Sequence, residues 1–220
     1  MTILAVTGLK REAEIVGGTG VVAMAGGGDV EFLRTKLNSL HGDIKGVISV
    51  GLAGGLSPFI QVGEAIIADR VIHGLETWHC SDSWHNALAT RLPGVHQGPI
   101  AASDVILESV EAKAQLYKDT GALAVDMESA VAGAFAAKRK LPFAVLRVIS
   151  DDAAHALPDA ALSAMKPDGR IALGRVLGSL LRHPLQVPSL IVTARTSNKA
   201  LKELLRCAKL CGVGFSGPDF

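Results

Sequence analysis

The alternation of short apolar runs with longer segments of helical periodicity is the feature that most constrains how this chain can fold. Several runs are rich in β-branched residues and apolar without alternation, which is typical of strands covered on both faces. These runs predict strands at 3–7, 21–24, 47–50, 65–71 and 143–150. Apolar residues at helical spacing predict helices at 29–40, 105–118, 129–140 and 159–182. The alternation predicts an α/β layered fold whose sheet is mainly parallel.

Composition predicts a large apolar core and no general affinity for nucleic acid. The 220 residues fit one globular domain, and 49% of them are hydrophobic, which excludes intrinsic disorder. The formal net charge is +1, so no global field would draw the chain onto nucleic acid. The first residues lack the pattern of a signal peptide, and no apolar stretch has the length of a membrane span. We therefore expect a cytoplasmic protein.

The end of the chain differs in charge from the rest. Residues 182–220 carry six basic and two acidic side chains, whereas residues 1–181 carry more acidic than basic ones. Helical spacing predicts a helix from Asn198 to about Cys211. Its apolar face would carry Leu201, Leu204, Leu205 and Ala208. We expect 182–220 to be a basic amphipathic extension packed on or beside a domain of 1–181. Its basic face would be either solvated or in contact with anionic lipid at the inner membrane face or with an acidic partner.

Several common catalytic motifs are absent from the sequence. No lysine is followed by serine or threonine, as a P-loop requires, and neither HExxH nor GxSxG occurs. The three cysteines are too few for a disulfide scaffold. The nearest group of metal-ligating residues is His73, His79, Cys80 and His85, for which a polar loop is the simpler interpretation. Serine hydrolases, zinc proteases and P-loop enzymes are therefore disfavoured.

Four polar or glycine-rich segments follow apolar elements, where ligands bind in open α/β sheets. They are Thr7-Gly8-Leu9-Lys10-Arg11-Glu12, Val50-Gly51-Leu52-Ala53-Gly54-Gly55-Leu56, Val125-Asp126-Met127-Glu128-Ser129-Ala130 and Arg147-Val148-Ile149-Ser150-Asp151-Asp152. Taken singly, each has an ordinary structural explanation, since glycines form turns and acidic or hydroxyl residues cap helices. Their joint occurrence in this order is much harder to explain by local structure alone.

In order and spacing, these segments resemble the purine nucleoside phosphorylase/uridine phosphorylase superfamily, and within it the branch that contains methylthioadenosine/S-adenosylhomocysteine nucleosidase. The resemblance covers residues 1 to about 181. It implies a three-layer phosphorylase/hydrolase-like fold, with a central, mainly parallel mixed sheet flanked by helices. It also implies a homo-oligomer, with a dimer as the first expectation, and neither a metal nor an organic cofactor. With the tail included, the sequence is most similar to the hopanoid-associated phosphorylases.

The resemblance assigns one set of residues to the nucleoside. Asp151 matches the carboxylic acid that protonates or hydrogen-bonds the purine N7, and a buried position would favour its protonated form. Glu128 matches the glutamate that accepts hydrogen bonds from the ribose hydroxyls, which strengthen as the sugar becomes cationic. The substrate-binding residues implied in this way are Met127, Glu128, Ser150, Ile106 and Leu107.

The attacking group is water in some members of the superfamily and phosphate in others, and the sequence carries signals for both. Glu12 matches the glutamate that activates water in the nucleosidases. Arg11 falls where phosphorylases place a phosphate-binding arginine, and the backbones of Gly8 and Gly51 could approach an anion. Against phosphate, Leu52 stands where a Ser or Thr is usual. We favour phosphate as co-substrate, with Gly8, Arg11 and Gly51 as its binding residues.

The resemblance implies cleavage of the N-glycosidic bond of an adenine nucleoside, with Asp151 and Glu12 as catalytic residues. The expected reaction is phosphorolysis of adenosylhopane, which releases adenine in hopanoid lipid synthesis. One alternative is a hydrolytic methylthioadenosine/S-adenosylhomocysteine nucleosidase. A more distant alternative is a non-catalytic nucleoside-binding protein, which would need no proton donor at the base.

Overall fold

The computed structural model describes residues 2–156 and 187–218. Its strands are β1 (Thr2–Thr7), β2 (Val21–Ala25), β3 (Ile44–Gly55), β4 (Ala65–His73), β5 (Glu76–His79), β6 (His96–Ala102), β7 (Ala124–Asp126) and β8 (Phe143–Asp151). Its helices are α1 (Lys10–Val16), α2 (Val30–Asn38), α3 (Asp82–Arg91), α4 (Val110–Thr120), α5 (Ser129–Arg139) and α6 (Val187–Cys211), followed by a 3₁₀ turn at Val213–Ser216. All five predicted strands are present, and the predicted helix at 159–182 lies outside the described residues.

The strands form one mixed sheet with more parallel than antiparallel pairings. Parallel ladders join β1 to β2, β1 to β3, β3 to β8, β4 to β6 and β6 to β7. Antiparallel ladders join β3 to β7, β4 to β5 and β4 to β8. The long strand β3 pairs with β8 along most of its length and with β7 at its last two residues, so five strands (β3, β8, β4, β6 and β7) close into a ring. This closure brings the ends of β3, β7 and β8 together.

Helices cover both faces of the sheet. Successive strand residues point to opposite sides, so an apolar strand presents apolar side chains to both faces. In β1, Leu4 and Val6 belong to a core that includes residues of α2 and α5. Ile3 and Ala5 of the same strand belong to a second core, which includes residues of α1, α3 and α6. The expected three-layer α/β fold with a central, mainly parallel mixed sheet is thereby confirmed.

Helix α4 begins later than its apolar periodicity predicts. The Ser109 side chain accepts a hydrogen bond from the Ala112 N–H, which caps the first turn. The helix ends at Gly121, whose φ of 65° is the left-handed conformation that glycine adopts most easily. Residues 105–109 are therefore a loop before the helix, and part of that loop lines the cavity described below.

The C-terminal helix α6 begins at Val187, well before the predicted start at Asn198. Pro188 lies in its first turn, where a missing N–H costs nothing. The residues buried against the sheet are Ala200, Leu201, Leu204, Cys207 and Cys211, whereas Leu205, predicted for this face, is 39% exposed. Helix α6 thus docks on the domain with its basic residues outward. The predicted boundary between 181 and 182 lies outside the described residues.

Among the residues described, none of the helices is both long enough and apolar enough to cross a membrane.

Candidate active site

A cavity of about 230 Å³ lies at the ends of β1, β3, β7 and β8. It brings together eight of the ten residues that the sequence predicts for the site. Those eight residues are Gly8, Glu12, Ile106, Leu107, Met127, Glu128, Ser150 and Asp151. The other lining residues are Leu9, Leu52, Ala53, Gly54, Val105, Lys113, Val125, Asp126, Thr193 and Ser197.

Glu12, in the first turn of α1, is buried at one end of the cavity, which we call the Arg147 end. Its Oε2 accepts hydrogen bonds from the backbone N–H groups of Gly8 (2.9 Å) and Leu9 (2.7 Å). Its Oε1 accepts a third, from the Leu52 N–H at 2.8 Å. Burial raises the pKa of Glu12 above its ordinary value, and these hydrogen bonds and the Arg147 charge oppose the rise only in part. A carboxylate held in this way can accept a proton from an attacking group.

Arg147 is a fully buried guanidinium in the middle of β8, and it lies among carboxylates. Its Nε is 2.7 Å from Asp126 Oδ2, and its Nη1 is 3.5 Å from Glu128 Oε2. Its Nη2 donates to the hydroxyls of Ser49 and Ser129. Because arginine stays charged inside proteins, this side chain is a fixed positive charge beneath the cavity.

Glu128 precedes α5 and is buried beside Arg147. Burial raises the pKa of Glu128 to about 7; Arg147 opposes this rise, while the charges of Asp126 and Glu12 add to it. A carboxyl in this environment can accept a hydrogen bond from a ligand hydroxyl when it is ionised and donate one when it is protonated.

Gly8 and Gly51 make room for these carboxylates. A Cβ on Gly8 would lie 2.9 Å from Glu128 Oε1, and a Cβ on Gly51 would lie 2.8 Å from Glu12 Oε2. Gly51 is therefore packed behind Glu12 and does not line the cavity. The two glycines that the sequence assigns to phosphate lie against acidic side chains in this structure.

Asp151, the last residue of β8, lies at the opposite end of the cavity, which we call the Lys113 end. Its Oδ1 accepts a hydrogen bond from the Ser150 hydroxyl at 2.8 Å. Its Oδ2 accepts one from the Lys113 ammonium at 2.6 Å, and the side chain of Lys113 is only 1% exposed. The sequence predicts a buried position that favours the protonated form of Asp151; the structure adds a buried ammonium in contact with this carboxyl.

Arg11 differs from the other predicted site residues because it points away from the cavity. Its side chain is exposed, and its Nη1 donates to Asn198 Oδ1 of α6 at 3.2 Å. Arg11 lies on the solvent-facing side of α1, whereas the side chain of Glu12, the next residue of the same helix, points inward. Arg11 is thus separated from the ligand cavity in this structure.

Four residues at the site have no role in the sequence-based assignment. Arg147 lies in the fourth polar segment of the sequence but receives no role there, and Thr193 and Ser197 reach the cavity from α6. Lys113 does carry a signal in the sequence, because helical spacing places it on the same face of α4 as Val110 and Tyr117. A lysine on a half-buried helical face is unusual unless the ammonium is paired.

The histidines that the sequence places near one another have ordinary polar partners. His73 is 3.3 Å from Asp104, and His85 bonds to Gln97 at 2.9 Å. In the described parts of the chain, no three His, Cys, Asp or Glu side chains are grouped so as to hold a metal ion.

Comparison with known proteins places the chain in a family. The model of the phosphorylase superfamily matches residues 11–182. The 5′-methylthioadenosine/S-adenosylhomocysteine nucleosidases of Mycobacterium bovis and Mycobacterium tuberculosis are each 26% identical over 175 residues, which cover 60% of this chain and 69% of theirs. The resemblance to this branch of the superfamily is thereby confirmed, and the expected class of nucleoside-cleaving enzyme agrees with these relatives.

Solved structures show the same fold. The corresponding nucleosidase of S. pneumoniae, with a transition-state inhibitor, has a TM-score of 0.67 at 16% identity over 95% of this chain and 99% of that one. The S-adenosylhomocysteine nucleosidase of Streptococcus pyogenes has a TM-score of 0.68 at 17% identity, over 94% and 95%. Futalosine hydrolase of Helicobacter pylori has a TM-score of 0.61 at 20% identity, over 69% and 88%. Because the family model matches residues 11–182 and the solved structures share the fold, this chain belongs to the phosphorylase superfamily.

Proposed function

We propose that this chain is an enzyme that cleaves the N-glycosidic bond of an adenine nucleoside and releases adenine. The observation that carries the proposal is the arrangement of carboxyl groups in one cavity: Asp151 lies at one end, and Glu12 and Glu128, with Asp126 beside them, lie at the other. Glycosidic cleavage needs a hydrogen-bond donor for the leaving group, an acceptor for the sugar hydroxyls and a base for the attacking group. The names of the curated relatives support the same chemistry.

The two ends of the cavity suit the two halves of the nucleoside. Adenine would lie at the Lys113 end, with its N7 at Asp151 and its ring between Ile106 and Leu107. The ribose would lie at the Arg147 end, where Glu128 accepts hydrogen bonds from its hydroxyls and Met127 packs on its face. As the glycosidic bond lengthens, positive charge grows on the ribose, and the surrounding carboxylates stabilise it.

Water is the attacking group that the site geometry supports best. The N–H groups of Gly8 and Leu52, which could have held phosphate, already donate to Glu12, and Arg11 points to α6. Glu12 is correctly placed to take a proton from water. Phosphorolysis, which the sequence favours, is the second candidate: the raised pKa of Glu12 would let a protonated carboxyl donate to phosphate above Arg147.

The substrate that we propose carries an uncharged, apolar group on its 5′ carbon. Helix α6 contributes only the neutral residues Thr193 and Ser197 to the cavity wall. Near its start, α6 exposes Ile191 (46%) and Val192 (54%), and Val105 at the cavity is 65% exposed. Together with the resemblance to hopanoid-associated phosphorylases, this supports adenosylhopane as substrate, collected from the inner membrane face. From the same resemblance, we also propose that the chain forms a homo-oligomer, with a dimer as the first expectation.

Adenine release from a series of adenosines tests these proposals. The series would carry 5′-methylthio, 5′-butylthio and longer alkyl groups, each assayed with and without phosphate. We expect release without phosphate, and kcat/KM should rise with the apolar 5′ group. Asp151→Asn should abolish release while the protein still binds adenine, and exposed Asp119→Asn on α4 is the matched control.

Each result decides between the alternatives. A strict requirement for phosphate would establish phosphorolysis. A preference for methylthioadenosine over longer groups would identify a nucleosidase of small thioethers and rule out the lipid-linked substrate. Binding of adenosines without release by the wild-type enzyme would indicate the non-catalytic alternative.

A further inference from the structure

The most unusual group at the site is the buried ammonium of Lys113 at the Lys113 end. It uses all three of its hydrogens: Nζ donates to Asp151 Oδ2 at 2.6 Å, to the Asp152 carbonyl at 2.8 Å and to the His155 carbonyl at 3.0 Å. Burying a lysine is costly unless its charge is compensated, and here Asp151 is the only carboxylate within hydrogen-bond reach among the residues described.

This pairing creates a problem for the proposed reaction. The N7 of a bound adenine nucleoside has a lone pair and no proton, so an ionised Asp151 would repel it. A departing adenine carries the electron pair of the broken bond and needs a proton. The site therefore needs a proton that Asp151 can pass on, and the Lys113 ammonium is in direct contact with that carboxyl.

We propose that Lys113 stores the proton that Asp151 passes to N7 of the departing adenine; this inference rests on the proposed glycosidic cleavage. As the bond between the base and the ribose C1′ breaks, its electron pair stays on the base, and one proton passes from Lys113 to Asp151 and from Asp151 to N7. Lys113 becomes a neutral amine, and Asp151 ends as the carboxylate that it was at the start. After adenine leaves, the amine takes a proton from water. Lys113 thus acts through Asp151 and is a positioning residue for it.

The chemical difference between the two buried cations supports this role. Arg147 cannot give up its proton inside a protein, whereas a buried lysine can. The neutral amine would still have two N–H groups to donate to the Asp152 and His155 carbonyls, so proton transfer does not require the site to open.

Other charged groups near Lys113 are compatible with the proposal. Burial would raise the pKa of Asp152, but hydrogen bonds from His155 and the Ala154 N–H, together with the charges of His155 and Lys113, outweigh it and lower that pKa. On the far side, Tyr117 of α4 and Lys199 of α6 line an adjacent cavity of about 690 Å³ with Asp152. Towards the ribose, the other ionisable lining residues are Glu12, Asp126 and Glu128. Within the described chain, Lys113 is therefore the one cation in hydrogen-bond contact with Asp151.

Chemical rescue tests the proposal directly. Lys113→Ala would remove the ammonium and leave space for a small cation, while Lys118→Ala, exposed on the same helix, is the matched control. We expect Lys113→Ala to lose about 10²-fold or more in kcat for adenine release. Methylammonium should restore much of the loss, because it can release a proton, whereas guanidinium should not. The rescued rate should fall at high pH as methylammonium is deprotonated.

The other outcomes are equally decisive. A Lys113→Ala enzyme within about threefold of wild type would overturn the proposal, and so would equal rescue by guanidinium, which would reduce Lys113 to a fixed charge. Calorimetric binding of adenine shows whether the variant is folded. If Lys113→Ala is not folded, Lys113→Arg is measured instead. Retained kcat in Lys113→Arg would contradict proton storage by Lys113. Loss of kcat with intact adenine binding would support it. Failure of the wild-type enzyme to release adenine would overturn the proposed function itself.

Discussion

The two ends of the cavity are each built around one buried cation, but acidic groups are in excess at one end and matched to the cation at the other. At the Arg147 end, one guanidinium lies among the carboxyl groups of Glu12, Asp126 and Glu128. At the Lys113 end, one ammonium meets one carboxylate and two carbonyl oxygens. Burial raises the pKa of Glu12 and Glu128, and neighbouring acidic groups add to the rise at Glu128. In the proposed reaction, carboxyl groups accept a proton at the Arg147 end and pass one on at the Lys113 end.

Removing the cation at the Arg147 end should have the largest effect. Arg147→Met would leave Asp126 and Glu128 buried without their counter-charge, which costs about 3–5 kcal/mol in comparable buried pairs. We expect the free energy of unfolding, measured by urea denaturation, to fall by about that amount. Arg34→Met, at an exposed pair with Glu31, should change it by less than about 1 kcal/mol. Equal losses of unfolding free energy in both variants would show that the buried pairs of Arg147 contribute no more to stability than the exposed pair of Arg34.

The proton-accepting role of this end is tested by Glu12→Gln. Glutamine keeps the shape, and its single carbonyl oxygen can accept the N–H hydrogen bonds of Gly8 and Leu9, but its amide can neither accept from the Leu52 N–H nor take a proton from water. We expect kcat for adenine release to fall about 10³-fold, equivalent to about 4 kcal/mol in the barrier. Exposed Glu14→Gln on the same helix is the control. A Glu12→Gln enzyme that keeps its activity with phosphate would show that the attacking group needs no base.

Sequence alone predicts the part of this site that depends on strand ends. Asp151, Glu128 and Glu12 each follow an apolar strand or begin the helix after it, so local pattern places them on one edge of the sheet. The motif resemblance supplies their roles. Short elements escape such prediction: α1 has seven residues within a charged stretch, and β7 has three.

The charge relations between elements were not predictable in the same way. Lys113 contacts a residue 38 positions away, and that contact exists only because the fold brings α4 to the end of β8. The outward direction of Arg11 likewise follows from its contact with Asn198, 187 positions away. Helix α6 extends well before the predicted start at Asn198, and Pro188 does not prevent this because proline is tolerated in the first helical turn.

The Arg147 end should also make stability depend on pH. Since the folded-state pKa of Glu128 is raised to about 7 from 4.5, its proton is bound more tightly in the folded state. Its stabilising contribution is complete below pH 4.5 and is lost as the pH rises through about 7, by no more than about 3 kcal/mol. Urea denaturation between pH 4.5 and 8 should show this decline in wild type and a smaller one in Glu128→Gln. The same decline of stability with pH in wild type and Glu128→Gln would show that groups other than Glu128 cause it.

The smallest effect is expected for Arg11, a cation outside the cavity. Its hydrogen bond to Asn198 is exposed, and such surface contacts contribute little to stability. If water attacks and Glu12 is its base, Arg11→Ala should keep kcat within about threefold and leave the response to phosphate unchanged. Lys10→Ala, the exposed residue beside it, is the matched control. A large loss of phosphate-dependent release in Arg11→Ala alone would mean that this side chain turns inward with substrate, and would restore the phosphate site that the sequence favours.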